Sequence, residues 1–317
     1  MKIVILDGFA VNPGDLDWGF LSKYGEYEVF DKTPDTLCAE KCVGAEVVFT
    51  NRAKITAELL DACPTVRYVS ALGTGYDMID IDACRRRGVQ VVNIPAYSTA
   101  SVAQLTIQLL LALYSDLDGI QKIVRDGNWT GLPRFHYETI NYTELDSLTL
   151  GLVGCGAIGG RVAAIAAALG MRVIAATARK HEDTETVSFR TLDEVRREAD
   201  VLSIHCPLND STRGMIDKDF ISMMKPGAKL INTARGAILN ERDVADALND
   251  GRLSGAALDV LAAEPAVPEN PLLTAKNCMI TPHIAWASRA ARERLIRVID
   301  ESLSSYAKTG KGINVIC

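Results

Sequence analysis

The chain has 317 residues, 48% of them hydrophobic and 23% charged, with a formal net charge of −6. That length predicts about two domains of roughly 150 residues, and that balance an ordinary soluble globular protein able to bury its own core. The acidic balance argues against a nucleic-acid partner, no apolar run reaches the ~20 residues of a membrane span, and the opening MKIVILDG reads as a strand rather than a secretory leader.

In chain order, short β-branched runs at 2–6 (KIVIL), 46–50 (EVVFT), 67–71 (RYVSA) and 89–93 (VQVVN) alternate with helix-like segments at 35–43, 56–62 and 80–87. Such alternation predicts a parallel sheet with crossover helices. A helical pattern follows from about Ser98 to Asp116, N-capped by Ser98 or Thr99; Gln104 and Gln108 mark its apolar part as a buried helix. An aromatic and Gly/Pro-rich loop, 127–143, contains His136. A second series has strands at 149–154, 171–176, 200–205, 228–232, 254–258 and 278–281, with an Ala/Gly-rich helix at 158–169. The last helix, about 287–308, follows the final strand and could return to the first domain; its run RAARERLIR reads as a solvated face. The eight cysteines are scattered with no C-x-x-C, so thiols in a reducing cytoplasm are the simplest account, and Cys38 and Cys42 fit one helix face better than a metal pair. No metal site is expected.

Gly154-Cys155-Gly156-Ala157-Ile158-Gly159 is a G-x-G-x-x-G that follows a strand and opens a helix. Glycine permits the tight turn and close approach to a pyrophosphate, and the helix start offers N–H donors and a favourable dipole. Such a site usually carries Asp or Glu about 20 residues on, at the end of the next strand, to bind the ribose of NAD. Here that strand ends in Thr177, with Arg179 and Lys180 just beyond. Thr177 removes the repulsion of a 2′-phosphate, and the two cations stand where that phosphate would sit. The stretch reads as an NADP-type pocket, with NADP preferred over NAD; the alternative is that Arg179 and Lys180 merely point into solvent.

Three further stretches follow successive strands: NTARGA (232–237), LDVLAAEP (258–265) and TPHIAW (281–286). Singly, Arg235 could be a surface ion pair, Glu264 a loop carboxylate and His283 a satisfied loop histidine. Together they match the reduction of a 2-keto acid. A forked guanidinium can hold the carboxylate and polarise the ketone, an imidazole can protonate the carbonyl oxygen, and a carboxylate can orient that imidazole and stabilise its charged form. Of the chain's four histidines, only His283 has a Pro before it and an apolar strand leading in at the right edge of the sheet.

With GCGAIG after LGLVG, HCPLNDSTRGMI (205–216), MKPGAKLINTARGAIL (224–239), ALDVLAAEP (257–265) and TPHIAW, the sequence resembles the D-isomer-specific 2-hydroxyacid dehydrogenase family over nearly its whole length. The resemblance implies an α/β protein of two Rossmann-like domains with parallel sheets. In it, a dinucleotide-binding domain (99–285) is inserted in a discontinuous substrate-binding domain (1–98 and 286–317). It carries the catalytic roles to Arg235, Glu264 and His283. It assigns ALGTGYDMIDID (71–82) to the substrate domain, with the loop backbone at Leu72, Gly73, Thr74 and Gly75 gripping the substrate carboxylate and Trp286 on the substrate side. It has Asp259 and the backbone around Thr233 and Ala234 hold the nicotinamide amide, and His205, Pro207 and Thr212 line the cofactor. A homodimer is implied, with the helix from Ser98 as a reasonable interface. The HIAW ending and the LDG opening with NPGDLDW look most like hydroxypyruvate reductases (glycerate dehydrogenases), and Thr-small-Arg is similar to NADP-using members of that group. The implied activity is reduction of hydroxypyruvate or glyoxylate by NAD(P)H. A D-lactate-type or bulkier 2-keto acid, and a corepressor-like dinucleotide-sensing protein, are the alternatives.

Overall fold

The computed structural model describes residues 1–130, 142–179 and 181–317; His136 and Lys180 lie outside the described residues. The chain divides into two compact units, Met1–Ser98 with Trp286–Cys317, and Thr99–Ala285.

The first unit runs β1 (Lys2–Ile5), α1 (Gly8–Val11), β2 (Glu26–Val29), α2 (Cys38–Lys41), β3 (Val47–Thr50), α3 (Ala57–Ala62), β4 (Tyr68–Ala71), α4 (Ile81–Arg86) and β5 (Gln90–Val92), and includes the C-terminal helix Arg289–Thr309. Its strands form one parallel sheet in the order β2-β1-β3-β4-β5. Side chains alternate across a strand, and the core divides accordingly. Val4, Val48, Val69 and Val91 pack with Leu59, Leu60 and Ala83 of the crossover helices. Ile3, Ile5, Phe49 and Tyr68 pack with Leu295, Ile299 and Leu303 of the C-terminal helix. A sheet covered on both faces explains why β3 and β4 are buried at every position, Thr50 and Ser70 included. Thr56 and Asp80 cap α3 and α4 through their side chains.

Two features depart from the sequence reading. Strand β2 has three exposed residues of four; its sequence EYEV does alternate polar and apolar, but over only four residues, and a polar edge strand also resists pairing with other chains. The C-terminal helix is not simply a solvated face. Arg292 is buried, its Nη1 and Nη2 donating to the two oxygens of Asp15 at 2.6 and 2.8 Å, with further bonds to the carbonyls of Val11 and Ala287. A fork that meets a carboxylate in register can be buried because its donors are satisfied.

The second unit runs α5 (Thr99–Tyr114), α6 (Leu117–Arg125), β6 (Thr149–Val153), α7 (Ala157–Ala168), β7 (Arg172–Ala176), β8 (Ser188–Phe189), α8 (Leu192–Glu198), β9 (Val201–Ile204), α9 (Lys218–Ser222), β10 (Ala228–Asn232), α10 (Glu241–Asn249), β11 (Leu253–Leu258) and β12 (Cys278–Ile280). All seven strands are parallel, in the order β12-β11-β10-β9-β6-β7-β8. The chain goes outward from β6 to β8 and returns to the other side of β6 at β9. That reversal opens a crevice at the carboxyl ends of β6 and β9, where open α/β sheets take their ligands. The α5 helix buries Val102, Ala103, Thr106, Ile107, Leu109, Leu110, Leu113 and Tyr114, so half of its residues serve the core of this unit. Thr191 and Glu194 form a capping box at the start of α8. Among the described residues no helix is long and apolar enough to cross a membrane.

Candidate active site

The glycine turn lies where β6 meets the reversal. Gly154 has φ +95°, and a Cβ there would meet the backbone of His205 and Cys206 at 2.8 Å. A Cβ on Gly159 would meet the Gly154 carbonyl oxygen at 2.4 Å, so helix and turn touch backbone to backbone. Gly156 is the N-cap of α7 with no capping side chain, and a Cβ there would meet nothing within 4 Å. The first N–H groups of α7, those of Ala157 and Ile158, have no acceptor among the described residues, and Gly156 and Ala157 are exposed. That donor set suits a pyrophosphate. The Gly154 N–H donates to Ala176 O at 2.8 Å, which fixes the end of β7, and Thr177 after it, beside the turn. The Thr177 hydroxyl donates to the carbonyl of Arg179 at 2.6 Å, folding the chain back on itself, and Arg179 is exposed. Lys180 is outside the described residues.

His205, Pro207 and Thr212 follow β9. His205 Nε2 lies 2.9 Å from Ser203 Oγ, and burial pushes its imidazole down to about 4. It is neutral at pH 7 and cannot donate a proton as an imidazolium there. Its place against Gly154 fits a wall of the cofactor site. The Thr212 hydroxyl is spent within its own turn, donating to Pro207 O and accepting from the Asn209 N–H, both at 2.8 Å.

Arg235, Glu264 and His283 follow β10, β11 and β12, three neighbouring strands of one sheet. His283 Nδ1 is 2.5 Å from Glu264 Oε2, while Glu264 Oε1 accepts the Leu261 N–H at 3.1 Å. The carboxylate thus orients the ring and leaves Nε2 for other work. Asn232 forms the Arg235 turn: its Oδ1 accepts the Ala234 N–H at 3.0 Å and its Nδ2 donates to Arg235 O at 2.8 Å. The Thr233 hydroxyl pairs with that of Thr106 at 3.0 Å.

Gly236 brings two of these loops together. A Cβ on it would lie 1.9 Å from Leu261 C, 2.2 Å from Leu261 O and 2.3 Å from Ala262 N. The Arg235 turn is pressed against the segment that leads into Glu264, and glycine alone permits that approach.

Asp259, besides the role the family pattern gave it, has a structural one. Its carboxylate is 1% exposed and organises the histidine loop: Oδ1 accepts from Thr281 Oγ1 at 2.6 Å and Ile284 N at 2.9 Å, Oδ2 from Ala285 N at 2.9 Å. Its own carbonyl accepts the His283 N–H at 2.8 Å. These bonds hold His283 at φ +56°, a backbone region that costs a non-glycine residue energy and is kept only where the surroundings impose it. Three acceptor sites are committed to folding the loop, and since a carboxylate has about four, one on Oδ2 remains.

The substrate residues expected outside this sheet lie in the first unit. Gly73, Thr74 and Gly75 follow β4, and Trp286 packs edge-on to Tyr97 with ring centres 6.4 Å apart. Leu72 is a correction: it is wholly buried and its N–H is already given to Thr50 O at 2.7 Å, so it has no donor for a carboxylate. Sequence reasoning did not single out Asn232, Gly236 or Thr281. Asn232 carried a signal, since an Asn at a strand end favours a turn closed by its own side chain.

Residues 107–285 match the family described as "D-isomer specific 2-hydroxyacid dehydrogenase, NAD binding domain". The chain is 40% identical to a hydroxypyruvate reductase of Blautia hydrogenotrophica over 321 aligned positions, which cover 100% of this chain and 99% of that one. Among solved structures, a protein of Thermus thermophilus superposes with a TM-score of 0.88 at 33% identity, covering 100% of both chains. An NADPH-dependent glyoxylate/hydroxypyruvate reductase of Sinorhizobium meliloti superposes with a TM-score of 0.84 at 27% identity, covering 100% of this chain and 97% of that one. A glycine turn at a sheet reversal, an Arg, a Glu and a His on adjacent strand ends, and likeness along the whole chain lead to one conclusion: this chain belongs to the D-isomer-specific 2-hydroxyacid dehydrogenase family and is an NAD(P)-dependent oxidoreductase.

Proposed function

We propose that the chain reduces hydroxypyruvate or glyoxylate to the D-2-hydroxy acid, using NADPH in preference to NADH. The observation that carries this reading is the His283–Glu264 contact of 2.5 Å on the strand ends next to Arg235. When bound, the reduced dinucleotide supplies the hydride that ends on C2. Arg235 holds the keto acid by charge and polarises its C2–oxygen bond. His283 gives its Nε2 proton to the oxygen as C2 is reduced, so the carbonyl becomes a hydroxyl with no charge left on it. Glu264 accepts from Nδ1, which aims the ring and offsets the charge of the imidazolium before the proton leaves. The turn at Gly154, Gly156 and Gly159 with the start of α7 would hold the pyrophosphate. The NADP preference is supported by Thr177 and Arg179 beyond β7, with no Asp or Glu at that strand end to repel a 2′-phosphate, and by the NADPH dependence named for the Sinorhizobium relative.

The test is the initial rate of NADPH and of NADH oxidation with hydroxypyruvate, glyoxylate, pyruvate and a longer 2-keto acid. Fast NADPH oxidation with either of the first two is expected. No turnover with any pair would sink the enzyme reading, and turnover with NADH alone would remove Arg179 and Lys180 from the cofactor pocket. The same reading includes a cytoplasmic homodimer. All eight cysteines are free thiols, and Leu111, Leu117, Val124 and Trp129 on and after α5 and α6 are exposed apolar side chains in need of cover. Light scattering that gave the 34.3 kDa of one chain would refute the dimer.

A further inference from the structure

The segment Leu72–Gly75 after β4 has every one of its first three carbonyls tied down. Leu72 O accepts from Asn51 Nδ2 at 3.0 Å, Gly73 O from Ile94 N at 2.9 Å, and Thr74 O from Asn93 Nδ2 at 2.7 Å. In a planar trans peptide the carbonyl of one residue and the N–H of the next point in opposite directions. Each tie therefore fixes the direction of the N–H that follows it: Gly73, Thr74 and Gly75 in turn. None of these three N–H groups has an acceptor among the described residues. They form a row of fixed donors aimed away from the groups that hold their carbonyls, and successive main-chain N–H groups of this kind bind anions.

Two of the three ties are side-chain amides, and both are themselves held. Asn93 is buried after β5, and the Thr74 hydroxyl donates to the next carbonyl, Ile94 O, at 3.0 Å. Asn51 follows β3, and its N–H donates at 3.0 Å to Asp7 Oδ2, which also takes the N–H groups of Arg52 at 2.8 Å and Ala53 at 2.9 Å. The carboxylate at the end of β1 thus freezes the turn from which Asn51 reaches Leu72. Without its tie a peptide plane can rotate and present its oxygen, which repels an anion, in place of its N–H.

We propose that Asn51 and Asn93 are positioning residues for substrate binding: their amides lock the peptide planes of Leu72–Gly73 and Thr74–Gly75 so that the N–H row receives the carboxylate of the 2-keto acid. This rests on the reading of the chain as a 2-keto acid reductase. The carboxylate keeps its charge from substrate to transition state, so its loss weakens both alike and appears in KM rather than kcat.

The test uses the full chain with NADPH, hydroxypyruvate as substrate and oxalate as a carboxylate probe that is not turned over. Asn51→Ala and Asn93→Ala are each expected to raise the KM for hydroxypyruvate and the inhibition constant of oxalate roughly tenfold, the effect of one lost hydrogen bond. The kcat should stay within about twofold, and NADPH affinity by fluorescence titration should not change. Asn93 is buried, so its variant can fail to fold; Asn51 is partly exposed, and Asn51→Ala then decides alone. An unchanged KM and oxalate constant in Asn51→Ala overturns the proposal, as does a parallel loss of NADPH affinity, which would mark general loosening. A wild-type chain that neither turns over hydroxypyruvate nor binds oxalate overturns the underlying reductase reading instead.

Discussion

Replacing Gly236 with Ala puts one methyl group into the tightest backbone contact of the candidate site. That carbon would stand 1.9 Å from Leu261 C, whereas real Cβ contacts essentially never fall below 3.0 Å. Relief requires the Arg235 turn and the 261–262 segment to part by about 1.1 Å, the difference between those two distances. The atoms that must give way are main chain on both sides, so no side-chain rotation absorbs the overlap. Leu261 N–H also anchors Glu264 Oε1, so the displacement reaches the carboxylate that aims His283. A misplacement of about 1 Å at a reacting centre costs on the order of 10²-fold in rate, and overpacking of this kind destabilises by roughly 1–3 kcal/mol. The assay is kcat for hydroxypyruvate with saturating NADPH, beside a urea titration of the same preparation. A variant with wild-type kcat and wild-type stability would refute the argument that this close approach sets the Arg235–Glu264 geometry.

Thr177→Asp is expected to shift the NADPH/NADH ratio of kcat/KM towards NADH at least tenfold, because a carboxylate there repels a 2′-phosphate and accepts from ribose hydroxyls; equal or greater NADPH selectivity would count against the pocket. Asp259→Asn replaces one acceptor oxygen by a donor and should cost about 1–3 kcal/mol of stability by urea titration, with a lower kcat because the loop carrying His283 loosens; unchanged values would mean the loop holds without it. Burial sets the imidazole of His205 at about 4 against the ordinary 6.5, so between those values the unfolded chain binds the extra proton. Stability linked to this group is present in full above pH 6.5 and lost as pH falls towards 4, by up to about 3 kcal/mol. His205→Asn should flatten that part of the pH–stability curve, and an identical slope in the variant would show that His205 is not responsible.

Much of this protein was legible without coordinates. Alternating apolar runs give parallel strands and crossover helices because the inner strands bury both faces, and the spacing of the glycines in GCGAIG marks a strand–turn–helix. The residues Arg235, Glu264 and His283 could be grouped because each follows a strand. What the sequence left open has one cause: it lists neighbours along the chain, whereas these functions depend on neighbours across it. The EYEV edge strand was missed because its alternation lasts only four residues and its partner strand β1 is what defines it, and Arg292 was read as solvated because Asp15, its partner, is far away in sequence. That Asp259 also holds the loop 281–285 was not legible, because only the fold brings those donors to its oxygens. Nor does the motif ALGTG reveal which of its N–H groups are free. That depends on Thr50, Asn51, Asn93 and Ile94 closing on the loop from two other strand ends, and a hydrogen bond is decided by distance and direction in space.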